Sequence, residues 1–228
     1  MTIFPGSIYG SMGRLGVGKQ TSATPWWLSG GIAADNCVAA YQPKGAASYA
    51  ASKINLASPG INNLIDGANY PTWNSTDGWM GDGTQYLRCT ALPTGDQTYS
   101  AFIRISNIIL VDLKVMFGVY NSGEGGLYIQ SNSTTKNFLT GTKALSKAER
   151  NTSGVYGIAG KTAYYNGAGA GDIATGTGSD PTVDMLIFAL RRGTPQQIIT
   201  AHIQAFAMYN ATISAAQVAA LTAAMAAL

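Results

Sequence analysis

The densest run of oxygen-bearing side chains is Asn74-Ser75-Thr76-Asp77-Gly78-Trp79-Met80-Gly81-Asp82-Gly83-Thr84. Asp77 and Asp82 supply carboxylates, and amide and hydroxyl oxygens lie between them. Calcium binds six to eight such oxygens, so it is the one metal this stretch raises, with Asp77 and Asp82 as its candidate ligands. The spacing matches no defined calcium loop. Asp-Gly pairs are also ordinary turn formers, and Trp79 reads equally as a plug for a core.

Other chemistry is mostly excluded. Gly13-Arg14-Leu15-Gly16-Val17-Gly18-Lys19 nearly spells a phosphate loop, but Gln20 stands where a magnesium-holding Ser or Thr belongs, and Pro25 blocks a long helix after it. Glycoside hydrolysis needs two carboxyl groups facing each other across the bond. Glu124 and Glu149 are the only glutamates, they lie far apart, and no expected strand carries two acids at i, i+2 or i+4. An Asp77–Asp82 pair built from loops is what remains. His202, the one histidine, falls in an expected buried strand, and no Gly-x-Ser-x-Gly elbow accompanies it. Two cysteines, Cys37 and Cys89, with one histidine fall short of a usual zinc site. They are read as two buried thiols, with a disulfide as the alternative. Asn74, Asn132, Asn151 and Asn210 open Asn-x-Ser/Thr triplets, which suit a chain rich in those residues. Arg191-Arg192 reads as edge charge that discourages stray strand pairing. No catalytic set emerges, and the expectation is a protein that is not an enzyme.

The elements that must carry these residues are mainly strands. Charged residues make up 11% of 228, and there are 28 glycines, a balance that suits many strands joined by tight turns. Ten segments have strand character: 36–42, 86–89, 98–106, 113–119, 126–131, 137–139, 155–159, 162–165, 184–191 and 198–209. Residues 43–60 allow one helical turn, and 61–85 read as a long loop holding Trp73 and Trp79. In the last strand, Ile203, Ala205, Ala207 and Tyr209 alternate with His202, Gln204, Phe206 and Met208. Apolar groups on both sides predict a strand covered on both faces. The period then changes: Ser214 with Gln217 makes a capping box, Ile213 can staple onto Val218, and Val218, Leu221, Met225 and Leu228 share one helical face. The expected fold is all-β, a two-sheet antiparallel jelly-roll sandwich with a short C-terminal α-helix. Residues 1–34, glycine-rich and free of acids, read as an extended arm, and 35–228 as one domain. Trp26, Trp27 and Leu28 are the arm's expected anchor, on this subunit or a neighbour.

The pattern resembles the concanavalin A-like (LamG-like) jelly rolls, in particular a branch found in bacteriophage and prophage proteins. The likeness rests on PWWLSGGI at 25–32, VAAYQPKGAASYAASKINLASPG at 38–60, GW at 78–79 with GTQYL at 83–87, TYSAFIRI at 98–105, AYYNG at 163–167 and YNATISAAQVAAL at 209–221. The glucanases of that family carry a Glu-x-Asp-x-x-Glu strand, which is absent here. Its lectins use Asp or Asn, often with calcium, and an aromatic face for the sugar. That implies Trp73, Trp79 and Asn74 as carbohydrate-binding candidates. Two functions follow as expectations. The first is a structural or decoration protein of a phage-like virion or extracellular assembly, a homo-oligomer or a partner of other virion proteins joined through Trp26, Trp27 and Leu28. The second is a lectin-like module that attaches to a surface glycan. A net charge of +3 without basic runs argues against nucleic acid, and no apolar run is long enough to span a membrane. MTIFPGSIYG has neither a basic n-region nor an apolar h-region, so no secretory signal is expected; assembly in a host cytoplasm and release by lysis would take the protein outside.

Overall fold

The computed structural model describes residues 24–120 and 124–228. The phosphate-loop-like run and most of the expected arm lie outside the described residues. In chain order the strands are β1 (Cys37–Tyr41), β2 (Ile65–Asp66), β3 (Thr72–Asn74), β4 (Gly78–Asp82), β5 (Leu87–Cys89), β6 (Ser100–Ser106), β7 (Lys114–Tyr120), β8 (Gly126–Ser131) and β9 (Thr135–Gly141). They continue with β10 (Lys143–Ala148), β11 (Gly154–Ala159), β12 (Thr162–Tyr165), β13 (Ala168–Asp172), β14 (Met185–Ile187), β15 (Leu190–Arg192), β16 (Thr194–Gln196) and β17 (Thr200–Tyr209). Two α-helices, α1 (Tyr49–Ser52) and α2 (Ala215–Ala226), and two 3-10 turns, Trp26–Leu28 and Ala34–Asn36, complete the described elements.

One sheet runs β13-β12-β11-β6-β17-β4-β3, with β1 also pairing with β17. The other runs β10-β9-β8-β7-β14-β5-β2, with β15 and β16 attached. Among the described strand pairs only β15–β7 is parallel. This is the two-sheet antiparallel sandwich with a C-terminal helix that the alternation predicts. Trp79, Phe117, Phe138, Tyr156, Phe188 and Phe206 belong to the core between the sheets. A second core lies on the far side of β17. There Ala205, Ala207 and Tyr209 meet Val218, Leu221 and Met225 of α2, together with Trp26. β17 is therefore covered on both faces, as expected, but its phase differs from strict alternation. A bulge between Ile203 and Ala205 shifts the register, so Ile203 joins Phe206 and Met208 in the main core.

The capping box at α2 forms as read. Gln217 N–H donates to Ser214 Oγ at 3.3 Å, and Ser214 N–H donates to Gln217 Oε1 at 2.9 Å. At the other end of the helix, the Arg104 guanidinium donates to the Met225 carbonyl at 2.5 Å, setting positive charge against the helix C-terminus.

Two expectations need correction. The 61–85 stretch holds β2, β3 and β4, and β4 pairs with β17. Two glycines hide β4 from a propensity reading, and packing requires both: a Cβ on Gly78 would lie 2.3 Å from the Ile203 carbonyl oxygen, and one on Gly81 2.7 Å from the Phe188 ring. β10, β13 and β16 likewise form where no strand is expected. Of the two anchors expected for the tandem tryptophans, the one on this subunit is present: Trp26 is buried in the second core, and Trp27 and Leu28 pack against it. Tyr209 Oη donates to the Trp27 carbonyl at 2.9 Å. The tandem tryptophans thus help seal α2 to the sheet, with Trp26 buried and Trp27 half-buried. Cys37 and Cys89 are free and buried, one in each core, as the thiol reading has it.

Candidate functional site

The β3–β4 hairpin and its surroundings show where the expected site residues fall. Trp79 has no exposed surface. Its indole N–H donates to Ser52 Oγ at 2.8 Å, so the ring is a satisfied core plug with no face for a ligand. Trp73 is half-buried, and its N–H is held by the Pro43 carbonyl at 2.8 Å. Asn74 Oδ1 accepts from the backbone N–H groups of Thr76 and Asp77, and its amide donates to Asp77 Oδ2 at 2.9 Å. The turn consumes this side chain. Asp77 precedes β4 and Asp82 ends it, so about 16 Å of extended backbone separates them. Asp82 Oδ1 accepts from Thr84 N–H and Oγ1, contacts that hold its carboxyl below the usual range. Asp77 and Asp82 therefore do not converge on one ion, and among the described residues no group of three or more His, Cys, Asp or Glu could hold a metal.

His202 is half-buried on the outward side of β17, not inside the sandwich. Its Nδ1 lies 3.2 Å from the Asn107 amide nitrogen and 3.7 Å from Asp77 Oδ1. Asp77 thus stands beyond hydrogen-bond reach of Nδ1, and Asn107 takes the place that the acid of a triad would fill. Ser106 stands opposite His202 on β6, and no hydrogen bond joins their side chains.

A surface that combines aromatic and charged groups is built by α1 and the segment after it. Ser48 caps α1 through Ala51 N–H at 3.1 Å, and Ser52 anchors the helix to Trp79. That fixes Tyr49 at the rim. Asn55 is fully buried and satisfied: Oδ1 accepts from Ala40 and Ala57 N–H, and the amide donates to the Val38 and Ile61 carbonyls. The loop is thereby stapled to β1. Asp66 sits on edge strand β2. Its Oδ1 accepts from Tyr49 Oη at 2.6 Å and its Oδ2 from Lys53 Nζ at 2.7 Å. The Lys53 ammonium also lies 4.5 Å from the centre of the Tyr49 ring. Burial, then the bond to Asp66, push the Tyr49 phenol well above its ordinary value, so it stays a donor.

Tyr70 stands beside this network, its ring 5.8 Å from that of Tyr49 and 58% exposed. Its segment is pinned to Tyr86. Gly67 N–H donates to the Tyr86 carbonyl at 3.1 Å, and a Cβ on Gly67 would strike the Tyr86 ring. Ile54, Ile61 and Ile65, in the same segment, are also exposed. The result is a rigid shelf: an open aromatic face next to a carboxylate and an ammonium with bonding capacity left over. Sequence reading missed it because Asp66 and Tyr70 reach Tyr49 only through the fold. One local signal was present, the Tyr49/Lys53 spacing of i, i+4 after a serine cap.

No protein-family model matches the chain, and no curated protein matches it. Solved structures share the fold. Domain 4 of AbnA, a GH43 extracellular arabinanase from Geobacillus stearothermophilus, solved with arabinotriose, superposes with a TM-score of 0.53 at 13% identity over 82% of this chain and 98% of that one. The binding domain of botulinum neurotoxin DC, solved with rat synaptotagmin II, gives 0.60 at 11% identity over 85% and 52%. A Trypanosoma rangeli sialidase mutant displaying trans-sialidase activity gives 0.55 at 12% over 84% and 33%. This chain thus spans nearly all of the arabinanase domain, about half of the toxin domain and a third of the sialidase. At such identities the likeness carries the β-sandwich fold and no activity.

Proposed function

We propose that the protein is a carbohydrate-binding β-sandwich that does not cleave its ligand, with the Tyr49–Tyr70 shelf as its binding surface. The observation that carries this is the exposed Tyr70 ring beside Tyr49 and the Asp66–Lys53 pair. A sugar ring has an apolar C–H face and a rim of hydroxyls. The aromatic face suits the first, and charge-assisted hydrogen bonds suit the second. The AbnA domain and the sialidase, whose folds resemble this one, belong to proteins that act on glycans, which supports the same reading. Trp73 and Asn74 enter as the hairpin that follows Tyr70, and Trp79 as its buried support. The first expectation, a self-associating part of a phage-like particle, rests on Trp26, Trp27 and Leu28, which pack on their own α2 layer. A surface-exposed or extracellular setting fits glycan binding.

The test is a glycan array followed by titration of the best ligand. Tyr70→Ala is expected to weaken binding at least tenfold, about 1.4 kcal/mol, with an unchanged circular dichroism spectrum. An array without a hit, or a Tyr70→Ala protein that binds as the parent does, would sink the reading.

A further inference from the structure

At the side of the sandwich away from Tyr70 the two sheets end in neighbouring edge strands. β10 is the last strand of one and β13 the last of the other. Between them opens a cleft of about 250 Å³ lined by Phe138, Lys147, Glu149, Tyr165, Ala168 and Ala170. The floor is made of small residues, so backbone lies close to the opening. Tyr165 supplies an aromatic wall, backed by Tyr156 at 4.8 Å. Lys147 lies along β13, its Nζ 3.0 Å from where a Cβ on Gly171 would be, which leaves no space for a side chain there. Its ammonium makes no hydrogen bond or ion pair among the described residues.

The charges around the cleft are unequal. One oxygen of Glu149 accepts from Asn151 N–H at 2.7 Å. Behind it Lys136, with no exposed surface, donates to the Glu149 backbone carbonyl at 3.3 Å and lies 5.9 Å from the centre of the Tyr156 ring. Of the two charged groups that line the cleft, Glu149 is thus partly engaged by backbone and Lys147 is open, so the ammonium is the group left for an anion. The two edge strands bordering the cleft also keep one side each free of sheet pairing. The volume falls below the roughly 300–1,000 Å³ of pockets for drug-sized molecules, so it suits a single ring.

We infer that this cleft is a second binding site, for one acidic sugar residue: Tyr165 packs against the ring, Lys147 takes the carboxylate or sulfate, and Glu149 takes a hydroxyl. The choice of a sugar rests on the carbohydrate reading, but the residues are separate from the shelf. The two sites lie on opposite flanks, six strand spacings or roughly 30 Å apart.

The full chain is titrated with trigalacturonate, 3′-sialyllactose and a chondroitin sulfate disaccharide, and with the methyl ester of trigalacturonate. At least one acidic probe is expected to bind, and Lys147→Ala to weaken it tenfold or more. Lys147→Arg should restore most of the affinity, and Tyr70→Ala should leave it unchanged. Where trigalacturonate binds, its methyl ester should bind at least tenfold more weakly. The inference is overturned if none of the acidic probes binds, if Lys147→Ala binds as the parent does, or if esterification changes nothing. Neutral-glycan binding lost in Tyr70→Ala but kept in Lys147→Ala reports on the shelf alone, so failure of either site shows separately.

Discussion

Single residues in this chain divide by where the fold puts them more than by type. Two tryptophans six residues apart, Trp73 and Trp79, look alike in sequence, yet one is half-buried and the other wholly enclosed. Nothing local separates them, because the choice depends on Ser52 reaching the Trp79 indole across the core. Lys136 is a starker case: a lysine in a plain Thr-Lys-Asn context that ends up with no exposed surface. Burial lowers its ammonium below the ordinary lysine value, and the nearby Glu149 offsets part of that. A folded value below the unfolded one means the unfolded chain holds more protons between the two. Stability contributed by this group is therefore gained as pH rises through that window, whose upper end is the ordinary 10.5. Lys136→Met should accordingly melt higher than the parent at pH 7, by a few degrees at about 2–4 °C per kcal/mol for a chain of this size. That advantage should shrink toward pH 10.5. Thermal melts across pH check it, and a lower melting point for Lys136→Met at pH 7 would count against the account.

Elements with a strong local code were legible, and those defined by partners were not. α2 was readable to its cap because Ser214, Gln217 and the Val218–Leu221–Met225 stripe state start, hold and face within one window. Removing the cap side chain should cost about 1 kcal/mol, so Ser214→Ala is expected to melt a few degrees lower and Ser214→Asp to match the parent. Equal melting of all three would mean the cap contributes nothing here. β6 and β11 were readable as strands at 98–106 and 155–159, and the class of fold followed from the number of such segments and the turns between them. β4 was not, since Gly78 and Gly81 occur there for want of room and carry no strand preference. The two-face reading of β17 held while its phase slipped, because a bulge leaves no mark in hydrophobicity. For the same reason the shelf was out of reach: it is assembled from α1, an edge strand and a loop, each unremarkable alone.

At the scale of the whole molecule, both thiols and the phenols of Tyr41, Tyr156 and Tyr209 lie inside. Burial pushes Cys37 up to about 12 and Cys89 up to about 11, and raises Tyr41, Tyr156 and Tyr209 well above the phenol value. Each folded value lies above the unfolded one, so the unfolded chain loses protons first as pH climbs. Stability is complete below pH 9 and falls from there, opposite in sign to the Lys136 contribution and from more groups. Urea midpoints should be level from pH 7 to 8.5 and drop by pH 11, and neither thiol should react with a disulfide reagent at pH 8 until the chain is unfolded. A midpoint that stays constant to pH 11 would contradict this. At the same scale, the turn Trp26–Leu28 lies against α2, with Gln217 Nε2 donating to the Gly31 carbonyl at 3.4 Å. A pull applied at Trp26 and at Leu228 would therefore load one thin layer first. The contact between that turn and α2 would open before the strand ladder beneath it.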